Sequence, residues 1–379
     1  MFKVLVYGAT YNPGGVEKFL LNYVTRIQSS NLKFDFINIY DKDLAFNDTL
    51  IKKGCNVLNL NLPQRKKDPI RYNKILDDFF KKVSKEYDCI WFNLIDLINI
   101  DPVKKAKKYN FKRIIIHAHN SQIMDEKKTL KYINHFIQHN LNKMKIFKFA
   151  TDFWACSANA AKFFFNDKEL EKVKIIKNAI NPIPFQYNLQ KRKSIRNKLS
   201  LKDNFVIGNV GRLQHQKNQE FALDIFKEYL SINSNANLIL VGQGENYKSL
   251  KRMAKELKID KKVIFAGVQT NISAWYSAFD IFLFPSLFEG LSVASLEAQA
   301  NGLPILANNS IMPKNSIIND NVELLSLKVP AKIWAQKLEE FRLDGNIRVG
   351  NKQVYNNFIN SGYDINSASK KLEKYFLIY

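Results

Sequence analysis

The chain has 379 residues, which is long for a single hydrophobic core and, at roughly 100–200 residues per domain, predicts two domains. Hydrophobic residues make up 46% and charged residues 25% of the chain, which excludes a disordered or collagen-like protein. No predominantly apolar stretch reaches about 18 residues, so a membrane-spanning helix is not expected. Three scattered cysteines without a Cys-x-x-Cys pair indicate a reducing cytosol and no metal cage.

The net charge of +23 is unevenly distributed along the chain. Residues 1–200 hold 37 basic and 18 acidic side chains, whereas residues 201–379 hold 21 and 17. The front half therefore carries most of the positive field that would attract an anionic partner. Nucleic acid, an anionic membrane and a phosphorylated substrate all fit that charge.

The first half alternates strand patterns with helical patterns. Phe2–Tyr7 is an apolar run typical of a buried strand, and Val16–Ile27 repeats apolar residues at helical spacing. Another helix is predicted over Asp68–Lys85. Further strands are predicted at Phe34–Ile39, Cys89–Phe92, Ile114–Ala118, Phe153–Cys156 and Val173–Ile176. This alternation predicts a parallel sheet covered by helices on both faces.

A turn-rich break at residues 178–184 and a charged segment at 190–199 precede the second half, which repeats the alternation. Its predicted strands are Phe205–Val210, Asn237–Val241, Val263–Ala266, Ile281–Pro285 and Pro304–Ala307. Its predicted helices are Gln219–Leu230, Tyr247–Leu257, Ile272–Ala278 and Ser292–Ala300.

The fold class predicted from this pattern is α/β, with two Rossmann-like doubly wound domains facing across a cleft. The N-terminal domain is predicted over residues 1–190 and the C-terminal domain over 200–364, with a helix at about 365–379 packing back on the first. Ligands of such sheets lie outside the carboxyl ends of the strands, so the site is expected in the cleft.

The strongest functional signal is the segment FPSLFEGLS at residues 284–292, followed by a second acid and by Gly-Leu-Pro at 302–304. Glu289 follows a predicted strand, and Glu297 lies eight positions later in the next helix. Glu289 can reach a polar ligand at the mouth of that helix, while Glu297 can accept hydrogen bonds from a diol beside it. Backbone N–H groups at the start of the helix form an anion site, contributed by Gly290, Leu291 and Ser292.

This segment resembles the Glu-x7-Glu motif of family four of the retaining glycosyltransferases, whose members have the two-Rossmann GT-B fold. The resemblance runs through nearly the whole chain. Other segments that resemble the family pattern are Gly14–Glu17, Val210–Leu213, Gln216–Asn218, Val241–Gly244 and His117–Ser121. The last of these is similar to the histidine segment of the acceptor domain in capsule and exopolysaccharide members.

In the family, the first glutamate binds the donor sugar, the second binds the ribose, and an arginine–lysine pair binds the diphosphate. The resemblance implies these roles for Glu289 and Glu297, and for Arg212 and Lys217. The chain departs from the family at residues 178–181, where Asn-Ala-Ile-Asn replaces the frequent asparagine–glycine–isoleucine–aspartate. No ligand is therefore assigned to that loop.

The chemistry of the reaction supports the cationic pair independently. A nucleotide-sugar leaving group is a diphosphate that gains negative charge as the glycosidic bond breaks. Two fixed cations, Arg212 and Lys217, would stabilise that charge at a strand end, where such a ligand should lie. Because lysines and arginines are common in this chain, the assignment of Arg212 and Lys217 to the diphosphate depends largely on the motifs around them.

Candidate residues in the first half are a glycine and a histidine. Gly15 lies between a strand and a helix, where the backbone can approach a phosphate of the donor. His117 and His119 are expected to point to opposite faces of a strand, with His119 facing the cleft to bind the donor sugar or assist proton handling. The Asp-Lys-Asp sequence at 41–43 is interpreted as coincidental, and no metal site is predicted.

Basic runs lie at residues 65–67, 81–85 and 104–113. They are interpreted either as solvated helix faces or as a surface that binds anionic lipid. Near an anionic membrane, each cation contributes about 1 kcal/mol of binding free energy. Lys104, Lys105 and Lys108 share one helical face. Nucleic acid is not expected as a partner, because no zinc-finger, helix-turn-helix or aromatic RNA-binding pattern is present.

These observations predict a retaining, metal-independent glycosyltransferase in capsular or exopolysaccharide biosynthesis, cytoplasmic or peripheral on the cytosolic membrane face. The expected partners are a nucleotide sugar, UDP-linked, and a saccharide acceptor on a polyprenyl diphosphate; no cofactor is expected beyond the nucleotide-sugar co-substrate. Two alternatives stay open. A sugar-nucleotide epimerase of the same fold would release a free epimer without an acceptor. A basic nucleic-acid- or membrane-binding protein would show an affinity that falls steeply with salt.

Overall fold

The structure, a computed structural model, describes residues 1–123, 130–289, 292–345 and 348–378 of the chain. It divides into two compact units, one comprising Met1–Ala179 with the segment from Ile365 onward, the other comprising Ile180–Asp364. Residues 180–190, which the sequence analysis placed in the first domain, group with the second unit. Hydrogen bonds to distant residues of the second unit hold this segment: Ile180 N–H donates to the carbonyl of Tyr363 at 3.0 Å, and Tyr187 N–H donates to Oδ1 of Asn351 at 3.1 Å.

The first unit is built on a parallel sheet. In chain order its strands are β1 (Phe2–Tyr7), β2 (Leu32–Asn38), β3 (Val57–Asn59), β4 (Cys89–Leu94), β5 (Arg113–Ala118), β6 (Asp152–Ala155) and β7 (Val173–Ile175). Its helices begin with α1 (Gly15–Arg26), α2 (Asn47–Lys52), α3 (Pro69–Val83), α4 (Asp101–Lys108), α5 (Leu130–Lys143) and α6 (Ala158–Phe164). The strands lie in the order β3-β2-β1-β4-β5-β6-β7, so the order reverses between β1 and β4. Ligands of such sheets bind beside that reversal.

Helix α3 illustrates how local sequence sets these elements. Asp68 precedes it, and its carboxylate accepts a hydrogen bond from the N–H of Arg71 at 3.0 Å. Pro69 occupies the first helical position, where its missing N–H has no cost. One apolar face at helical spacing is buried, formed by Tyr72, Leu76, Phe80 and Val83.

The second unit repeats the architecture. Its strands are β8 (Phe205–Val210), β9 (Ala236–Val241), β10 (Val263–Gly267), β11 (Ile281–Phe284), β12 (Ile305–Asn308) and β13 (Val322–Leu325). Its helices are α7 (Leu189–Lys198), α8 (Gln219–Ile232), α9 (Tyr247–Glu256), α10 (Ile272–Ala278), α11 (Val293–Ala300), α12 (Ala331–Leu343) and α13 (Asn351–Asn360). The parallel strands lie in the order β10-β9-β8-β11-β12-β13, which reverses between β8 and β11. Two doubly wound α/β domains are therefore present, and the predicted fold class is confirmed.

The charged segment at 190–199 forms most of α7, which docks on the second sheet through a buried ion-pair cluster. Arg192 and Arg196 both contact the carboxylate of Asp280, at 2.6 and 3.1 Å. Asp280 immediately precedes β11 and also accepts a hydrogen bond from the N–H of Val206 at 2.7 Å. The two arginines of this segment are therefore paired with an aspartate inside the second unit.

A final helix, α14 (Ile365–Leu377), completes the first unit. Ile365, Leu372 and Phe376 belong to its buried core. The ring of Phe376 lies 5.3 Å from that of Trp91, and its carbonyl accepts a hydrogen bond from Arg113 at 3.1 Å. Among the described residues, no helix combines the length and the apolar character needed to cross a membrane.

Candidate functional site

In the second unit, the predicted site residues follow β8 and β11, the strands at which the sheet order reverses. The two loops are tied directly to each other. Leu287 N–H donates to the carbonyl of Gln216 at 2.8 Å, and the Gln216 side chain donates to the carbonyl of Phe288 at 2.9 Å. The Asn218 side chain donates to the carbonyl of Pro285 at 3.1 Å. The sequence motifs at 210–218 and 284–289 thus form one structural unit.

Lys217 and Glu289 form an ion pair at the junction of these loops, with 2.6 Å between Nζ and Oε1. Their side chains are only 15% and 7% exposed. The Lys217 ammonium also lies 5.7 Å from the centre of the Phe284 ring. A cation held this firmly, beside a carboxylate, can bind an anion on one side and order a hydroxyl-bearing ligand on the other.

Arg212 has a different environment. Its side chain is 62% exposed and contacts Glu245 at 3.2 Å. Exposed ion pairs contribute little to stability, so the guanidinium can be redirected towards an anionic ligand at small cost. Its backbone is fixed, because the Gln219 side chain donates to the Arg212 carbonyl at 3.1 Å.

The loop after β9 is pressed against the loop after β8. Gly242 has φ of +137°, and a Cβ at this position would lie 2.0 Å from the carbonyl oxygen of Gly211. Glycine is therefore required for this approach. Gly211 N–H in turn donates to the Val241 carbonyl at 3.0 Å. The close contact brings Glu245 within reach of Arg212.

Glu297 lies in α11 and is 4% exposed. Its Oε2 accepts a hydrogen bond from the hydroxyl of Tyr276 at 2.9 Å, and that hydroxyl also contacts the Ala294 carbonyl at 3.2 Å. Burial and the neighbouring carboxylate hold the pKa of Tyr276 well above its usual value, so the phenol stays a donor. Tyr276 therefore fixes the orientation of the carboxylate.

The predicted anion site at the start of α11 is described only in part. Gly290 and Leu291 lie outside the described residues. Ser292 is buried at the residue before α11, and its carbonyl accepts a hydrogen bond from the Ser295 hydroxyl at 2.9 Å.

In the first unit, Gly15 begins α1 and is exposed, and a Cβ there would meet nothing within 4 Å. The neighbouring loop is organised by Glu17, which is buried. Its carboxylate accepts hydrogen bonds from the N–H groups of Thr10 and Gly14, each at 2.9 Å. These two backbone donors are therefore engaged by the protein itself.

The prediction that His117 and His119 point to opposite faces is wrong. Their ring centres are 4.1 Å apart, because positions two apart along an extended chain lie on the same side. His117 is fully buried, and neither ring nitrogen has a hydrogen-bond partner. His119 is half-buried just beyond β5, with Nε2 2.9 Å from Oδ1 of Asn93 in β4.

Both histidines are neutral in the folded protein. Burial lowers the pKa of His119 to about 3, and burial with the neighbouring ring holds the pKa of His117 well below its usual value. His119 can therefore offer a hydrogen bond as a neutral ring, whereas proton donation from an imidazolium near pH 7 is not available to it.

Acid sensitivity of folding is the expected consequence. The unfolded chain protonates these rings below about pH 6.5, so it binds more protons than the folded state, and stability falls as the pH drops from there towards 3. We expect His119→Gln to lose less free energy of unfolding between about pH 7 and 5 than the wild type, by on the order of 1 kcal/mol. Urea denaturation at both pH values measures this. His215→Gln, at an exposed histidine, is the control; an unchanged pH slope in His119→Gln would contradict the expectation.

The basic run at 104–113, which holds six lysines and arginines, has less unpaired charge than the sequence suggests. Arg113 is buried and contacts Asp152 at 2.6 Å, because it sits inside the first sheet. Lys105 and Lys108 both contact Asp77, the latter at 2.8 Å. Much of this charge is therefore neutralised within the unit.

Two residues in these sites were not foreseen. Asn93 is the last residue but one of β4, and His119 directly follows the neighbouring β5; a polar residue near a neighbouring strand end is a signal that could have identified it. Tyr276 lies 21 positions before Glu297 in the chain, and no local pattern connects them.

The comparisons with known proteins agree with this architecture. The crystal structure of Anabaena Alr3699/HepE in complex with UDP-glucose is similar with a TM-score of 0.76, at 19% identity, over 100% of both chains. At this identity the likeness shows the fold, which is the GT-B fold of glycosyltransferases.

Residues 191–363 match the family described as Glycosyl transferases group 1. EpsF of Bacillus subtilis (strain 168), named as a glycosyltransferase, is 25% identical over 341 residues, 86% of this chain and 84% of that protein. The Escherichia coli UDP-Gal:alpha-D-GlcNAc-diphosphoundecaprenol alpha-1,3-galactosyltransferase is 32% identical over 142 residues, 36% of this chain and 37% of that protein. The second unit thus carries a glycosyl transferases group 1 domain, and the chain is a glycosyltransferase.

Proposed function

We propose that this enzyme moves a sugar from a UDP-sugar to a saccharide carried on a polyprenyl diphosphate, with retention of configuration at the anomeric carbon. The observation that carries the proposal is the buried Lys217–Glu289 ion pair at the reversal point of the second sheet, with Glu297 on the helix that follows. This is where a doubly wound sheet binds its ligand.

Each residue has a distinct task in this proposal. Lys217 and Arg212 bind the diphosphate and stabilise the charge that develops on it as the glycosidic bond breaks. Glu289 accepts hydrogen bonds from the hydroxyls of the donor sugar. Glu297 accepts hydrogen bonds from the ribose diol, and Tyr276 positions its carboxylate.

The donor and acceptor classes rest on the relatives. The similar HepE structure contains UDP-glucose, and the E. coli relative is named for a UDP-sugar donor and a sugar on diphosphoundecaprenol. Growth of a saccharide on such a lipid is a step in making capsular or exopolysaccharide chains, which we propose as the pathway. The net positive first half suits contact with the anionic membrane that holds this lipid.

Retention and metal independence are parts of the same proposal. Among the carboxylates that the structure describes in the first unit, none stands out as a nucleophile, so we favour reaction on one face, with the leaving phosphate helping to deprotonate the acceptor. Two protein cations would supply the charge stabilisation that a metal supplies elsewhere. Turnover that persists in excess EDTA and an anomeric configuration retained in the product, read by NMR, are the expected results.

The test of the function begins with donor binding. UDP-sugars should raise the melting temperature in proportion to the logarithm of their concentration, because a ligand stabilises the folded state by RT ln(1 + [L]/Kd). Release of UDP should then depend on a lipid-linked saccharide acceptor. Formation of a free epimer without acceptor would instead favour the epimerase alternative, and salt-sensitive DNA binding without donor binding would favour the nucleic-acid alternative.

Tyr276→Phe is expected to weaken UDP binding by about 2–10-fold, because loss of one hydrogen bond worth about 0.5–1.5 kcal/mol lets the Glu297 carboxylate rotate. Isothermal titration with UDP measures the change. Tyr229→Phe is a matched control, since the buried Tyr229 also donates to a carboxylate, Glu339, at 3.0 Å. Equal losses in both variants would show a general effect on stability and no positioning role for Tyr276.

A further inference from the structure

The polar side of helix α5 packs against the rest of the first unit. Its buried residues are His139 and Asn142. His139 Nδ1 accepts a hydrogen bond from the N–H of Leu97 at 3.0 Å, and Nε2 donates to the Phe163 carbonyl at 3.0 Å. The Asn142 side chain donates to the Leu97 carbonyl at 2.6 Å. These polar contacts therefore contribute much of the attachment of α5 to the rest of the first unit.

The opposite side of α5 is apolar and faces solvent. Five side chains of α5 and of the residue that follows it are between 43% and 82% exposed and recur at spacings of three and four, so they form one stripe: Leu130, Ile133, Ile137, Leu141 and Met144. We refer to them as the apolar face of α5. Single exposed apolar residues are common, but a contiguous stripe marks an interaction surface.

The charged side chains of α5 itself and of the residues that directly follow it have one sign. Residues 130–151 contain no Asp or Glu, and their lysines are Lys131, Lys143, Lys145 and Lys148. Lys131 is exposed on α5, whereas Lys143 is partly buried and its ammonium donates to the carbonyl of Lys162 at 2.6 Å. Lys145 and Lys148 follow the helix and are exposed. An apolar stripe bordered by cations is complementary to a surface with negative headgroups above hydrocarbon.

We propose that the apolar face of α5 lies in the interface of an anionic lipid bilayer, with the exposed Lys131, Lys145 and Lys148 at the lipid phosphates. The helix has 14 residues, a length of about 21 Å, so it lies along the surface and does not span. This assigns a surface to the membrane contact proposed above and rests on that part of the proposed function. A second copy of the chain is a poorer occupant, because it would bring lysines of the same sign against these lysines.

The experiment uses the full chain and sedimentation with two kinds of vesicle, phosphatidylcholine alone and phosphatidylcholine with about 30 mol% phosphatidylglycerol. The test variant replaces Ile133, Ile137 and Leu141 by serine. Its matched control replaces three comparably exposed residues of the second unit by serine: Ile232, Ile333 and Leu343. A further variant replaces Lys104, Lys105, Lys107 and Lys108 of α4 by glutamine.

The wild type should sediment with the anionic vesicles, and the α5 variant should lose at least about tenfold in partition coefficient. The control should bind as the wild type does. Wild-type binding by the α5 variant, an equal loss in the control, or a larger loss in the α4 variant would overturn the proposal. A concentration-dependent dimer that the α5 variant abolishes would also overturn it, in favour of a second copy.

Donor binding separates this result from the test of the function. The apolar face lies in the first unit, so the α5 variant should keep the UDP-induced rise in melting temperature seen with the wild type. Vesicle binding without any response to UDP-sugars would contradict the proposed function and leave the α5 surface standing. A rise in melting temperature with UDP-sugars but no vesicle binding would contradict the α5 surface and leave the proposed function standing.

Discussion

Replacing Lys217 by alanine should lower turnover at saturating donor by about 10²–10³, the usual cost of removing one preformed electrostatic group that stabilises charge in the transition state. Lys217 is held at 2.6 Å from Glu289, so its ammonium needs little reorganisation when the diphosphate gains charge. The variant also removes this ion pair from a buried carboxylate, and the donor KM should rise as well. Turnover from steady-state UDP release is the measurement, with the melting temperature as the check on folding.

Lys248→Ala provides the control, because Lys248 is exposed on α9 in the same unit. Arg212→Ala should also lower turnover, towards the lower end of that range, since Arg212 is 62% exposed and better screened by water. Wild-type turnover in Lys217→Ala at saturating donor would remove the leaving-group role from this lysine.

Replacing Glu297 by alanine should weaken UDP binding by about 10–150-fold, because a charged acceptor of two ribose hydroxyls is worth roughly 1.5–3 kcal/mol. Glu297 is buried and held by the Tyr276 hydroxyl, so its carboxylate is already oriented before the ligand binds. Calorimetric titration with UDP and with UMP measures the loss, which should be similar for both, as both carry the ribose.

Glu339→Ala is the control, since that carboxylate accepts a hydrogen bond from a buried tyrosine in the same unit and has no proposed ligand. Glu297→Gln should retain part of the affinity, because its amide oxygen still accepts a hydrogen bond. Unchanged UDP affinity in Glu297→Ala would show that this residue does not hold the ribose.

The sequence patterns predicted the central strands of both sheets closely, because parallel strands that are buried on both faces have continuous apolar sequences. The runs at Phe2–Tyr7 and Phe205–Val210 coincide with β1 and β8. Two of the edge strands, β3 and β13, were missed; they have only three and four residues and are not fully buried, although the equally short edge strand β7 was predicted. Short, partly exposed strands depend on pairing with a neighbour more than on their own composition.

The candidate site was predictable where its residues lie on contiguous motifs, as Lys217 and Glu289 do. Charge was harder to interpret, because a count of lysines and arginines does not reveal which are paired. Arg113 and Arg196 look like surface cations in the sequence, yet both are buried on aspartates distant in the chain. The Tyr276–Glu297 contact depends in the same way on tertiary packing that no spacing rule encodes.

The placement of α14 has a consequence for the order in which the chain folds during synthesis. The second unit is one continuous segment, Ile180–Asp364, so it can fold as soon as that segment has left the ribosome. The first unit is made earlier but lacks Leu372 and Phe376, whose positions in its core would stay open to water until those residues emerge. The core of the nascent first unit therefore stays incomplete while more than 180 further residues are synthesised. During that time its exposed apolar surface is a binding site for chaperones.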